Sequence, residues 1–288
     1  MIIVKIYGGL ANQMFQYALY KSLLFKSKEA YTDTISFVPT WGFDDVRLSE
    51  TFPNLKINNA DIDIIKKFSI DRSLLNRVRK LLRIHKKTHY FEPTYHYNPA
   101  VFDLKANYYI EGYWQTEKYF NDIKNEIRKD FMFRNFDDKR NIDLLHKLQN
   151  EESVCIHVRK GPDYKKSITA GACEIDYYNR AIDLIKEKIG SPSFYVFTDN
   201  KEWVKDMFKN FKYTLIDWNP VSGPLNYLDM QLMSNCKHNI IANSSYSWWG
   251  AWLNQNPDKI VIGPKIWFAK KNIHFDSSDI LPKNWIAL

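Results

Sequence analysis

Two basic side chains stand where a short apolar segment ends. The run Val154–Val158 leads into Arg159 and Lys160, and Gly161 and Pro162 then break the chain. An apolar, β-branched run bounded by Gly-Pro is typical of a buried strand. In open parallel sheets, ligands bind just beyond the carboxyl ends of the strands. Two cations at that place suit a phosphate or carboxylate, which Arg can bind with two hydrogen bonds. The alternative is a surface ion pair beside a turn.

A second polar cluster follows the apolar pair Ile240-Ile241. It consists of the small side chains of Asn243, Ser244, Ser245 and Ser247 at the start of a predicted helix. A helix start offers free backbone N–H groups and a favourable dipole, and nearby hydroxyls add further donors to a phosphate. Plain N-capping is the alternative, but one Ser or Asn is enough for a cap. The cluster therefore predicts a diphosphate site.

Three acidic residues each allow two interpretations. Asp199 follows the predicted strand 194–197, where it can accept a hydrogen bond from a base or a ribose hydroxyl, or cap the helix that begins near Lys201. Asp61 and Asp63 form a DxD pair that could hold a divalent metal on a sugar nucleotide. Their surroundings are more typical of the first turn of a helix, where acidic residues favour the dipole.

The elements that must position these residues alternate between strand and helix in the second half of the chain. The predicted strands are 154–158, 194–197, 213–216, 238–242 and 259–262, and the predicted helices are 175–189, 202–208, 225–234 and 244–253. This alternation predicts an α/β fold with a doubly wound parallel sheet, whose strand ends bring the polar loops to one edge. The charged stretch 149–152 predicts a boundary between domains 1–150 and 151–288.

The first half begins with a strand, a glycine pair and a helix. Residues 2–7 predict the strand, Gly8 and Gly9 the turn, and 12–26 the helix. This layout resembles a phosphate loop, but it lacks both the GxGxxG pattern and the Walker lysine, which excludes a dinucleotide or P-loop site. Further on, 108–114 predicts a strand, and 116–129 and 138–148 predict helices.

Composition narrows the class of protein. The chain has 288 residues, 45% hydrophobic, which is ample for folded domains, and its net charge of +8 favours an anionic partner. Three cysteines without a CxxC pair predict free thiols in a reducing compartment, and their spacing excludes a zinc site. Seven residues before the glycine pair are too few for a secretion signal, so we expect a cytoplasmic protein.

The most basic segment is 71–87. Its apolar residues share one helical face, and its cations cover much of the rest: Arg72, Arg77, Arg79, Lys80, Arg83, Lys86 and Lys87. Such a helix can lie on the anionic inner face of a membrane, or it can be a surface helix packed on the core. A nucleic-acid-binding module is a third interpretation, which the scarcity of cations in the other polar loops disfavours.

Several of these stretches together resemble a known family. His157 to Tyr164 is similar to the HxRRxDY-type motif of bacterial α-1,2-fucosyltransferases, glycosyltransferase family 11. Residues 8–18 are similar to the N-terminal signature of that family, and 197–200, 228–236 and 243–254 are similar to its later blocks. The resemblance extends from residue 2 to about Lys265, is weakest over 31–100, and is most specific in the Asn-Ser-Ser block.

The resemblance implies a GT-B-like fold of two Rossmann-type domains facing a cleft. The first would be on the acceptor side and the second would bind the nucleotide sugar. It also implies a GDP-fucose donor, inversion at the anomeric carbon, an oligosaccharide or lipid-linked glycan acceptor whose galactose O2 is fucosylated, and no metal or other cofactor. A different nucleotide sugar on the same fold stays open.

Site roles also follow from the resemblance. It places Arg159 at the donor diphosphate and His157 also at the donor, both as catalytic residues. Its blocks imply donor contacts from Gly9, Asn12, Gln13, Lys160, Asp199, Asn243, Ser244, Ser245 and Ser247. Two departures stand out: Lys160 replaces the usual second Arg, which keeps the charge but loses a bidentate contact, and Pro162 is inserted before Asp163. We expect Asp163 to act as the general base.

Overall fold

The chain divides into two units, and each has its own parallel sheet. A computed structural model describes residues 1–37, 45–69, 86–105, 107–162, 164, 167–269 and 276–288. The units are Met1–Met132 and Phe133–Leu288, and the predicted α/β class with parallel sheets is confirmed. The division falls before the predicted boundary at residue 150, because the helix Lys139–Asn150 buries Leu144 and Leu148 within the second unit.

The first unit contains four strands in the order β2-β1-β4-β3, all parallel. The strands are β1 (Ile2–Lys5), β2 (Ala30–Asp33), β3 (His89–Phe91) and β4 (Tyr108–Glu111). The helices are α1 (Leu10–Phe25), α2 (Leu48–Thr51), α3 (Ile62–Phe68) and α4 (Lys124–Asp130). Short 3₁₀ turns cover Pro99–Asp103, Glu117–Tyr119 and Asn121–Ile123.

One buried amide joins the two central strands of this sheet. Gln16 lies inside α1, where its side-chain oxygen accepts from the Tyr7 N–H at 2.8 Å and its Nε2 donates to the Gly112 carbonyl at 3.1 Å. Tyr7 follows β1 and Gly112 follows β4, and these strands are neighbours. A single side chain therefore satisfies backbone groups of both loops, which buried polar groups require.

The second unit contains six parallel strands in the order β10-β9-β8-β5-β6-β7. The strands are β5 (Ser153–Val158), β6 (Ser193–Thr198), β7 (Thr214–Ile216), β8 (His238–Ile240), β9 (Val261–Gly263) and β10 (Ile286–Ala287). The helices are α5 (Lys139–Asn150), α6 (Ile175–Ile189), α7 (Lys201–Met207), α8 (Leu228–Met233) and α9 (Ser245–Leu253).

The strand order reverses direction beside β5. From β5 the chain builds outward through β6 to β7, and it then returns to the other side of β5 to add β8, β9 and β10. This is the doubly wound arrangement, in which ligands bind at the crevice between the two strands where the order reverses. Here those strands are β5 and β8. All six residues of β5 are buried, because sheet neighbours and helices cover them.

No described helix is long and apolar enough to cross a membrane. Most of the basic segment 71–87 lies outside the described residues, which omit 70–85. Its predicted helix therefore stays a prediction.

We expect Gln16→Leu to destabilise the protein by about 2–6 kcal/mol. The substitution leaves a backbone N–H and a C=O without their partner, and each buried unpaired group costs about 1–3 kcal/mol. Urea titration followed by circular dichroism measures the change. Gln149→Leu, on the exposed end of α5, is the control, and we expect a change within about 0.5 kcal/mol. Equal losses in both variants would contradict the bridging role.

Candidate active site

Three polar loops of the second unit meet at one edge of its sheet. Arg159 follows β5, Asp199 follows β6, and Asn243 lies three residues after β8. Val158 pairs with Thr198 and Ile156 with Ile240, so β5 lies directly between the other two strands. All are parallel, which places their carboxyl ends together. The structure thus brings these predicted residues to the crevice beside β5, where a ligand would be expected.

Asp199 positions Arg159. The guanidinium Nη1 donates to Oδ2 of Asp199, and the backbone N–H of Lys160 donates to Oδ1 at 2.6 Å. The alternative role of Asp199 as a helix cap is wrong, because Asn200 caps α7 by accepting from the Trp203 N–H at 3.0 Å. The carboxylate instead fixes the strand-end backbone and orients the cation. Whether Asp199 also contacts a ligand stays a prediction.

Gly161 makes this arrangement possible. A Cβ atom at residue 161 would lie 2.6 Å from Oδ2 of Asp199 and 3.2 Å from Nη1 of Arg159. The first distance is too short for non-bonded atoms, so any larger residue would displace the carboxylate. Gly161, which marks a strand end in the sequence, is therefore also required by the close packing against Asp199 and Arg159.

Lys160 is held inside the second unit. Its Nζ donates to Glu174 at 2.7 Å and lies 4.6 Å from the ring centroid of Tyr164 and 5.0 Å from that of Trp203. The side chain is only 6% exposed. Cation–π contacts and an ion pair together stabilise this position. This geometry favours a structural role for Lys160, and its predicted donor contact stays untested.

His157 is a neutral imidazole at the end of β5. Burial, with a smaller effect of the nearby Arg159 charge, lowers its pKa to about 3. Its ring centroid lies 5.7 Å from that of Tyr246 in α9, which links the end of β5 to the serine-rich helix. Within the described part of the chain, its Nδ1 has no hydrogen-bond partner. A buried polar atom of this kind at a sheet edge can bind a ligand group.

The start of α9 divides its serines between two roles. Ser244 is the cap, and its Oγ accepts from the Tyr246 N–H at 3.3 Å. Ser247 is fully buried and lies within 3.4 Å of the carbonyls of Ala242 and Ser244. Ser244 and Ser245 are half-buried. The helix start therefore presents the half-buried side chains of Ser244 and Ser245 at the sheet edge, whereas Ser247 stabilises the turn.

Asn243 ties two further loops to the sheet edge. Its Nδ2 donates to the carbonyls of Thr169 at 2.7 Å and Trp267 at 2.9 Å. The side chain is buried, and its Oδ1 has no partner among the residues that the structure describes. Asn243 thus holds the loops around residues 169 and 267, and its oxygen is a second unsatisfied polar atom near the crevice.

The predicted N-terminal residues lie in the first unit. Gly9 precedes α1, and the Asn12 Oδ1 accepts from Gln115 at 2.8 Å. Gln13 is fully buried, with Nε2 donating to the Gly8 carbonyl at 2.7 Å and Oε1 accepting from the Arg47 N–H at 2.9 Å. Both ends of the Gln13 amide hold loops, which favours a structural role. Donor contacts from these three residues stay predictions.

The acidic residues are only partly described. Asp163, the expected base, lies outside the described residues. Asp61 caps α3 by accepting from the Asp63 N–H at 2.8 Å, so the helix-start interpretation of this pair is confirmed. Over the described ranges there is no group of three or more His, Cys, Asp or Glu side chains that could hold a metal ion.

Comparison with known proteins gives a match over the full length. The family model "Glycosyl transferase family 11" matches residues 1–288. An alpha-1,2-colitosyltransferase of Escherichia coli is 30% identical over 100% of this chain and 98% of its own length. The O-antigen biosynthesis glycosyltransferase WbnK of Escherichia coli is 30% identical over 98% of each chain. A galactoside alpha-(1,2)-fucosyltransferase 1 of Saimiri boliviensis boliviensis is 21% identical over 50% of this chain and 42% of its own.

We expect His157 to contribute to acid instability. Its pKa is lower in the folded protein than in the unfolded chain, so the unfolded chain binds more protons between about pH 3 and the usual His pKa of about 6.5. The contribution of the neutral His157 to the free energy of unfolding is fully present above about pH 6.5. It falls by up to about 1.4 kcal/mol per pH unit as the pH drops towards about 3.

Urea titrations at a series of pH values measure this effect. His157→Phe should have a shallower loss of unfolding free energy than wild type over the same range. His146→Phe, exposed on α5, is the control for removal of an imidazole from the surface. If the unfolding free energies of wild type and His157→Phe fall equally as the pH drops, His157 does not contribute to acid instability.

Proposed function

Because the chain belongs to glycosyl transferase family 11, we propose that it transfers L-fucose from GDP-fucose to a hydroxyl of a glycan acceptor. The proposal takes O2 of a galactose as the attacking group, inversion at the anomeric carbon, and no metal ion. The observation that carries it is that Arg159 and the serine-rich start of α9 follow the neighbouring parallel strands β5 and β8, at the strand reversal. The name of one relative, a galactoside alpha-(1,2)-fucosyltransferase, also supports the proposal.

Arg159 would stabilise the leaving diphosphate. In glycosyl transfer the bond from the anomeric carbon to phosphate oxygen breaks, the sugar becomes oxocarbenium-like, and negative charge grows on the departing group. A guanidinium held by Asp199, together with the N–H groups at the start of α9, can stabilise that charge from fixed positions. The neutral His157 adds a polar atom without adding charge.

A second donor has specific support. One relative that matches this chain along its whole length is named an alpha-1,2-colitosyltransferase. Colitose is L-fucose without its 3-hydroxyl, so the two sugars share the ring and the anomeric chemistry. A site that hydrogen-bonds the 3-hydroxyl would reject colitose strongly, whereas a site that leaves it unbonded would accept both.

The acceptor and the location complete the proposal. A relative named for O-antigen biosynthesis supports a surface-polysaccharide precursor as the acceptor, which would be an oligosaccharide or a lipid-linked glycan. A lipid-linked precursor would place the enzyme in the cytoplasm at the inner face of the membrane. The basic segment 71–87 is the part of the sequence that suits an anionic membrane.

Arg159→Ala should lower the turnover number with GDP-fucose by about 10²–10³, which is the usual cost of losing one such charge-stabilising donor. Release of GDP in the presence of a galactoside acceptor, followed by a coupled assay, measures the loss. Arg180→Ala, exposed on α6, is the matched control and should retain wild-type turnover. Wild-type turnover in Arg159→Ala would disprove this role.

A donor panel separates the two sugar assignments. Purified enzyme with a galactoside is offered GDP-fucose, GDP-colitose and UDP-galactose, and product formation is followed by mass spectrometry. We expect the highest kcat/KM for GDP-fucose. A preference for GDP-colitose of tenfold or more would replace fucose by colitose in the proposal, and a preference for the UDP sugar would reject the guanine nucleotide.

A further inference from the structure

Lys160 is held in place through its backbone as well as its side chain. Its N–H donates to Oδ1 of Asp199 at 2.6 Å, and its carbonyl accepts from Nδ2 of Asn200 at 2.8 Å. Both partners follow β6, so residue 160 joins the end of β5 to the loop after the neighbouring strand. Asn200 also caps α7, because its Oδ1 accepts from the Trp203 N–H at 3.0 Å. The backbone next to Arg159 is therefore fixed to the start of a helix.

The side chain of Lys160 reaches the starts of two helices of the second unit. Its Nζ donates to Glu174 at 2.7 Å, and Glu174 directly precedes α6. The same ammonium lies 5.0 Å from the ring centroid of Trp203 in α7 and 4.6 Å from that of Tyr164. An ammonium beside two aromatic rings and a carboxylate gains both cation–π and charge-assisted hydrogen-bond stabilisation. One side chain thus ties the end of β5 to α6 and α7.

The two adjacent cations have different surroundings. The side chain of Arg159 is 31% exposed, whereas that of Lys160 is 6% exposed. Arg159 pairs with Asp199, and the ammonium of Lys160 pairs with Glu174 instead. A bound diphosphate can contact only a cation that it can reach, and the side chains around Lys160 enclose its ammonium. Arg159 is therefore the accessible charge of the pair, and Lys160 is the enclosed one.

We propose that Lys160 is a positioning residue, which holds Arg159 where the donor diphosphate leaves and does not itself bind the donor. The inference rests on the proposed function. A charge stabilises a transition state best when its position is fixed before the reaction, and a shift of about 1 Å can lower the rate about 10²-fold. Loss of the Lys160 ammonium would release the backbone on one side of Arg159. The guanidinium would then keep its charge but lose its position.

Lys160→Met removes the charge and keeps a straight side chain of similar length. With GDP-fucose as donor and lactose as acceptor, we expect kcat to fall by about 10–10²-fold, because Arg159 is no longer held in place. Lys160→Arg keeps the charge and can stack on the same rings, so its kcat should be at least about fivefold above that of Lys160→Met. Lys205→Met, which breaks an exposed ion pair within α7, is the matched control and should keep wild-type kcat.

A double-mutant cycle with Arg159→Ala separates positioning from direct contact with the donor. If Lys160 acts through Arg159, Lys160→Met should lower kcat by no more than about twofold in Arg159→Ala, because the effects of coupled residues are not additive. If Lys160 binds the donor itself, the two losses should multiply, and the inference is wrong. A generally weakened fold would also lower kcat equally in both backgrounds and would overturn the inference. Circular dichroism at the assay temperature checks that all four proteins are folded.

Glu174→Gln provides the test if Lys160→Met does not fold. It keeps Lys160 and removes only the charge of its carboxylate partner, and because Glu174 is exposed the substitution leaves no cavity. We expect kcat to fall by about 3–10-fold when Arg159 is present and by less than about twofold in Arg159→Ala. Equal losses in the two backgrounds, or no loss in either, would contradict the inference.

Failure of the inference is distinguishable from failure of the proposed function. If wild type fucosylates lactose and Lys160→Met keeps wild-type kcat, the inference is wrong and the function stands. If the donor panel selects another sugar nucleotide, the proposed function changes, and the same variants are compared with that donor. If wild type transfers no sugar from any donor, the proposed function fails and the inference fails with it.

Discussion

The site depends on β5 lying between two parallel neighbours that come from different parts of the chain. With β6 on one side and β8 on the other, its carboxyl end receives polar loops from both. The ion pair of Arg159 with Asp199 depends on that arrangement, because it joins the end of β5 to the end of β6. The contact of His157 with Tyr246 joins β5 to the helix that follows β8. Together these contacts give the crevice a fixed cation, a neutral imidazole and a helix start.

Much of the polar chemistry at both sheet edges holds the backbone rather than a ligand. Gln13 and Gln16 bind loop backbone in the first unit, and Asn243 and Ser247 do so in the second. Loops that end parallel strands leave N–H and C=O groups unpaired, and buried groups of this kind need partners. Part of each short motif rich in Asn, Gln and Ser therefore stabilises loop backbone. Only the polar atoms that are not used in this way can bind a ligand.

The sequence predicted the second unit better than the first for a physical reason. The strand β5 and the helix α6 have apolar patterns long enough to be unambiguous, and Gly190 ends α6 with a φ of +77°. In contrast, β2, β3 and β10 have only two to four residues, so no periodicity can form. These strands exist because neighbouring strands pair with them, and that information is not local.

The same distinction applies to the site. Arg159 and the serine-rich helix start were identified because strand ends and helix starts have local signals. The cage around Lys160 and the capping of α7 by Asn200 were missed, because they depend on residues that only the fold brings near.

The position of β5 also has a consequence for synthesis on the ribosome. This strand is the first of its sheet to be made, yet one of its edges must wait for β8, about 80 residues later, or about 4–16 s at ordinary elongation rates. During that interval the unpaired edge of a mostly apolar strand is available to other nascent chains. Early pairing with β6 and coverage by α6 therefore protect the chain from aggregation before its last three strands emerge.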